Sequence, residues 1–96
     1  MTDALIQTVL AAVIATIRQT LYLADDPISS ETQLSKDLEL GRVDLIELTL
    51  ALEKRFKVEF PVNTGNQFRT VSNIVDFLSR QYFHDKPELF SSKYVN

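Results

Sequence analysis

Cysteine is absent from this 96-residue chain. That excludes a disulfide framework, a thiolate metal site and a cysteine nucleophile. It fits a reducing compartment, and the expected location is the cytoplasm. Histidine occurs once and glycine twice, too few for a Gly-rich phosphate loop, a metal-ligand cluster or a nucleophile–base pair. The expectation is a protein that is not an enzyme and holds no metal. Neither sign of charge dominates: 13 acidic residues against 10 basic leave a net charge of −3. A nucleic acid partner asks for a basic face, so none is expected. No unbroken apolar run approaches the roughly 20 residues of a membrane span, so no span is expected. The richest run, Val9 to Ile17, follows Asp3 with no basic residue before it, which is not a signal-peptide layout.

Hydrophobic residues make up 45% of the chain, enough for the modest core of one small domain and unlike a disordered composition. Ile6, Leu10, Val13, Ile14, Ile17 and Leu21 recur at helical spacing and predict a first helix from about Asp3 to Leu23. Thr2 or Asp3 would cap it, and Asp25-Asp26-Pro27 would stop it. Residues 26–40 read as a long loop pegged by Ile28, Leu34, Leu38 and Leu40. A second helix is predicted from Arg42 to Phe56 or Lys57. Leu45, Ile46, Leu48, Leu52 and Phe56 would face the core, and Asp44, Glu47, Glu53, Lys54 and Arg55 would face water. Residues 60–68 are turn-rich, with Pro61 and Asn63-Thr64-Gly65-Asn66 as breakers, and allow at most a short helical turn. Thr70 caps a last helix carrying Val71, Ile74, Val75, Leu78 and Tyr82 at helical spacing. The bundle is expected to span residues 1–83. Residues 84–96 would be a tail, either a loose turn around Pro87 to Phe90 or disordered. With no strand periodicity, the class is all-α.

The stretch from Leu34 to Pro61 is the most informative. Asp37-Leu38 is followed by Gly41-Arg42-Val43-Asp44, then Ile46-Glu47-Leu48, Ala51-Leu52-Glu53, Phe56 and Glu59-Phe60-Pro61. In order and spacing this resembles the acyl carrier proteins, and Thr70-Val71, Ile74 and Phe77-Leu78 resemble that family's closing helix. The resemblance covers about residues 3–82. It implies a four-helix bundle: three main helices, a short third helix near Phe60 to Phe68, and a long first loop. It also implies protein partners, enzymes of acyl chemistry with basic patches, and a monomer.

The family attaches phosphopantetheine to a serine in an Asp-Ser-Leu signature at the start of its second helix. The ungapped match puts Gly41, Arg42 and Val43 at those three positions. Arginine has no nucleophilic oxygen, so no phosphopantetheine is expected there. A cation at a helix N-terminus also opposes the macrodipole, at a cost of about 0.3–1 kcal/mol; Asp44, Asp37 or Glu39 could offset it. Arg42 is then drift at an exposed end, a contact for an acidic group or phosphate, or half of a structural ion pair.

In the family, acids matching Asp44 and Glu47 meet partner enzymes, and apolar residues matching Val43 and Leu50 rest on them. The expected partner-binding set is Asp37, Glu39, Arg42, Val43, Asp44, Glu47 and Leu50. The plain alternative is a solvated helix face. Lys54 and Arg55 stand where many carriers have more acid, against the usual negative strip. Ser29, Ser30 and Ser35 lack the helix-start context of an attachment site, and Ser72 reads as a solvent-facing or capping hydroxyl. His84 with Asp85 lacks a nucleophile and reads as surface. Tyr82, Phe83, Phe90 and Tyr94 either tie the tail to the bundle or offer a sticky extension. Three functions stay open: a carrier-like interaction or regulatory module linked to fatty-acid or polyketide-type acyl metabolism, not charged at the usual position; a working carrier with another attachment site or non-covalent acyl binding; and a helical bundle unrelated to acyl chemistry.

Overall fold

The structure is a computed structural model and describes residues 3–61 and 63–80. Its order is α1 (Asp3–Leu21), α2 (Arg42–Phe56), a short 3-10 turn (Thr64–Gln67) and α3 (Val71–Leu78). Among the described residues there is no strand, only an isolated antiparallel bridge between Gln33 and Thr70. The all-α architecture is the one expected, including the short helical turn before the last helix. Tyr82, His84 and the tail lie outside the described residues.

Helix α1 packs against both α2 and α3 and buries Val9, Val13, Thr16 and Ile17. The Thr16 hydroxyl donates to the Ala12 carbonyl at 2.7 Å, so its burial leaves no unmet polar group. The helix stops two residues earlier than expected, and by a different device. Tyr22 turns left-handed at φ 56°, and the Leu23 amide reaches back to the Arg18 carbonyl at 3.1 Å. This is the closing pattern that satisfies a helix's last carbonyls. Arg18 adds to it by donating to the carbonyls of Leu23, Ala24 and Asp26 at 2.9, 3.1 and 2.8 Å. The Asp25-Asp26-Pro27 segment is already loop.

Ala4–Leu21 has a mean hydropathy of 1.5 over 18 residues, long and apolar enough to cross a membrane by length and composition. Counting unbroken runs missed this because scattered Gln and Thr interrupt the run without pulling the average down far. The bundle gives that apolar character a use, since the stripe from Val9 to Ile17 forms one wall of the core.

The long first loop is packed down. Leu34 and Leu40 are buried, and Ile28 and Leu38 pack against the core beside them. The loop also caps α3. The Val71 and Ser72 amides donate to the carbonyls of Thr32 and Ser30 at 3.0 and 2.8 Å, and the Leu34 amide to Arg69 O at 2.9 Å. Asn73 N donates to the Thr70 hydroxyl at 3.2 Å, while Asn73 Oδ1 accepts from Thr70 N at 2.9 Å. The first three amides of α3 are thus all satisfied, two of them by a segment about 40 residues earlier in the chain. Leu48 and Leu52 from α2, and Val71, Ile74, Val75 and Leu78 from α3, complete the core. Phe60, Phe68 and Phe77 close one end edge-to-face, with ring centroids 5.3–6.1 Å apart.

Candidate functional site

Helix α2 carries two apolar stripes. Leu45, Leu48, Leu52 and Phe56 follow i, i+3, i+7, i+11 and turn inward. Val43, Ile46 and Leu50 repeat the same spacing two residues earlier, which on a helix is a rotation of about 200°. They face water, at 66%, 53% and 60% exposure. Ile46 was expected in the core and is not there. Two interleaved stripes share one helix, and apolar character alone does not say which one is inside. Arg42 and Glu47 are exposed on the same outer side. The structure therefore brings Arg42, Val43, Glu47 and Leu50 together and adds Ile46, which the sequence reading assigned elsewhere.

Two of the three remaining expected contacts, Asp44 and Asp37, serve the backbone. Gly41, the N-cap of α2, is extended at φ −93°, ψ −173°. Its amide donates to the Asp44 carboxylate at 2.9 Å, so Asp44 is half-buried and ties the helix start together. The Asp37 carboxylate accepts from the Gln33 amide at 2.8 Å and pins a loop turn. Glu39 is exposed, with its backbone left-handed at φ 56°. Glu53, expected in water, is half-buried and accepts from the Phe60 amide at 2.6 Å. That bond holds the chain leaving α2 against the helix. Lys54, Arg55 and Lys57 at the far end are exposed, where they complement the negative end of the helix dipole.

Beside the outer stripe runs a groove of about 330 Å³ between α2 and residues 60–66. The 3-10 turn lies close on the helix there. A Cβ added at Gly65 would come within 2.9 Å of Thr49 Oγ1. The Thr49 hydroxyl is already committed to the Leu45 carbonyl at 2.7 Å. Among the described residues no group of His, Cys, Asp or Glu could hold a metal. The first turn of α2 with its cap, Gly41-Arg42-Val43-Asp44, presents a guanidinium, an isopropyl group and one engaged carboxylate.

A small helical bundle with a long, tied-down first loop and an exposed second helix is the architecture of a carrier domain. Residues 11–78 match the family model for the phosphopantetheine attachment site, and the chain belongs to that family. It is 34% identical to the mitochondrial acyl carrier protein of Saccharomyces cerevisiae over 77 residues, which is 80% of this chain and 62% of that protein. The acyl carrier protein of Campylobacter fetus is 31% identical over 58 residues, 60% of this chain and 75% of the other. That of Thermosynechococcus vestitus is 29% identical over 73 residues, 76% and 90% of the two chains. Membership places the chain among carrier proteins and not among enzymes.

Proposed function

We propose that this chain is a carrier-like module that receives no phosphopantetheine at the start of α2 and acts by docking to other proteins, near fatty-acid or polyketide-type acyl chemistry. The observation that carries this reading is Arg42. It is exposed as the first residue of α2, where the resemblance places the family's attachment serine. A phosphate ester there needs a side-chain hydroxyl, and no residue from Gly41 to Leu48 has one. The nearest hydroxyl along the helix, on Thr49, is half-buried and donates to Leu45 O. The residues at this position do not fit the group.

The docking half of the reading rests on the outer stripe. Val43, Ile46 and Leu50 form an apolar line with Arg42 and Glu47 beside it, a mixture suited to a protein surface with both apolar and charged groups. The reading takes the chain as a monomer in the cytoplasm. The yeast relative's name points to the mitochondrion as the competing compartment, and cell fractionation decides between them.

The test is an intact-mass spectrum after incubation with coenzyme A and a broad-range phosphopantetheinyl transferase. The expected result is the unmodified chain mass. A gain of one phosphopantetheine arm overturns the reading and sends the search to Ser35 and the other loop serines. The double variant Gly41→Asp with Arg42→Ser restores the signature chemistry. There is room for it, because a Cβ at Gly41 meets only Asp44 Oδ2, at 3.9 Å. Modification of the double variant and not of the parent assigns the loss of charging to these two positions.

A further inference from the structure

Helix α2 offers a partner a different charge from the one its sequence carries. From Arg42 to Phe56 it has three acids, Asp44, Glu47 and Glu53, and three bases, Arg42, Lys54 and Arg55. The fold draws two of the acids inward. The Asp44 carboxylate accepts from the Gly41 amide and the Glu53 carboxylate from the Phe60 amide, and both residues are half-buried. Their charge still counts at a distance, but their oxygens are not on offer. All three bases stay exposed, as does Lys57 at the C-cap. Glu59, just beyond, is exposed but already engaged. On the outer stripe, i, i+4 spacing puts Arg42 one turn before Ile46 and Lys54 one turn after Leu50. Val43, Ile46 and Leu50 are thus bracketed by cations, and Glu47 is the exposed acid among them. Most of the exposed acid lies in the first loop, where Asp25, Asp26, Glu31, Asp37 and Glu39 stand against Lys36. That loop adjoins the start of α2. Lys54 is about 18 Å further along at 1.5 Å per residue, beyond the screening length of about 8 Å at physiological salt. The far end of the helix therefore keeps its own positive sign.

We infer that α2 docks on an acidic partner, the reverse of the basic patches that the resemblance implies. The partner is a protein surface with an apolar strip for Val43, Ile46 and Leu50. It has carboxylates facing Lys54 and Lys57 at one end and Arg42 at the other, and a single base opposite Glu47. The inference rests on the docking reading above and names the partner's chemistry. An anionic bilayer would also attract the cations, but it fits the stripe less well. Helices that lie in a bilayer interface set a strongly apolar face, with Trp, Phe or Leu, against a basic one. Here the exposed apolar line is three side chains with no aromatic, and Glu47 sits within it. A protein surface can answer that carboxylate with one base, whereas a layer of anionic head groups repels it.

The test titrates the ¹⁵N-labelled full chain with a helical peptide that has glutamates at both ends, a leucine strip and one central arginine. Its charge inverse, with lysines at the ends and a central glutamate, is a second arm. Vesicles of phosphatidylcholine with phosphatidylserine are a third. The first peptide is expected to shift the amides of Val43, Ile46, Leu50 and Lys54 saturably. It should bind about threefold or more tighter than its inverse at low salt, with the gap closing as salt rises. Lys54→Gln with Lys57→Gln is expected to weaken the first peptide about two- to tenfold and not the inverse. Without any partner, an anionic nitroxide is expected to relax the Leu50 and Lys54 amides more than a cationic one does. The acidic partner is overturned if the inverse peptide binds as tightly as the first, if the double variant binds the first as the parent does, or if the cationic nitroxide relaxes those amides more. Shifts from the vesicles with none from the first peptide assign the stripe to a membrane and overturn it too. No saturable shift with either peptide overturns the docking reading itself, so the two readings fail by different signals.

Discussion

Replacing Gly65 by alanine tests the close approach that shapes the groove. The new methyl would sit 2.9 Å from Thr49 Oγ1, well inside van der Waals contact. Thr49 has little room to yield. It is β-branched on a helix, so rotating χ1 either puts its own methyl in the same space or breaks the 2.7 Å bond to Leu45 O. Overpacking of this kind costs about 1–3 kcal/mol. Alanine recovers about 0.4–1 kcal/mol by restricting the unfolded chain, since the native φ of Gly65 is not positive. The net expectation for Gly65→Ala is a loss of about 1–2 kcal/mol. In a domain of this size each kcal/mol lowers Tm by about 4–8 °C. Thr49→Ala alone is expected to stay within about 0.5 kcal/mol of the parent, because alanine's better helix propensity offsets the lost bond and methyl. In the Thr49→Ala background the clash is gone, so Gly65→Ala becomes neutral or stabilising. The assay is urea unfolding followed by far-UV circular dichroism on all four proteins, with the coupling taken from the cycle. Additive effects, with Gly65→Ala equally costly in both backgrounds, would refute the contact and with it the groove geometry drawn from it.

Other positions give simpler outcomes. Thr70→Ala removes the N-cap of α3 and is expected to cost about 1 kcal/mol by urea unfolding, with Thr70→Ser close to the parent. Leu48→Ala empties a fully buried site and is expected to cost about 2–5 kcal/mol, whereas Ile46→Gln, on the outer stripe of the same helix, should change stability by no more than about 0.5 kcal/mol. Arg18→Met keeps an apolar stem but strands three loop carbonyls, and faster amide hydrogen exchange at Leu23 is the expected sign.

The contrast between Leu48 and Ile46 marks how far the sequence could be read. The limits of α2, the short turn at residues 64–67 and the cap at Thr70 all followed from local chemistry: breakers, capping residues and apolar spacing. Such signals act over one or two turns of chain and survive without knowledge of the tertiary fold. The inner face of α2 did not follow. Leu45, Ile46, Leu48, Leu50 and Leu52 satisfy two helical stripes at once, and what chooses between them is where α1 and α3 lie. The same holds for Gly65. It reads as a breaker among Asn63, Thr64 and Asn66, yet its job is to let the 3-10 turn approach Thr49.

The site shows the same division more sharply. Arg42 stood out because it is chemically wrong for the position the resemblance assigns it, and a mismatch of type needs no coordinates to be seen. Asp37 and Asp44 did not stand out from Glu47, since all three are acids near the start of one helix. The structure separates them by their hydrogen bonds. Asp37 holds Gln33 N and Asp44 holds Gly41 N, while Glu47 is exposed on the outer stripe. On the proposed reading, a partner docking on the outer stripe would meet Arg42, Val43, Ile46, Glu47 and Leu50. Charge reversal separates those roles. Glu47→Lys should weaken such a partner and leave unfolding unchanged, measured by titration calorimetry and urea melts. Asp44→Lys should lower stability by about 1 kcal/mol, through the lost capping bond and a second cation at the helix start. Equal loss of stability in both variants would mean that the two acids share one role and that the division drawn from their hydrogen bonds is wrong.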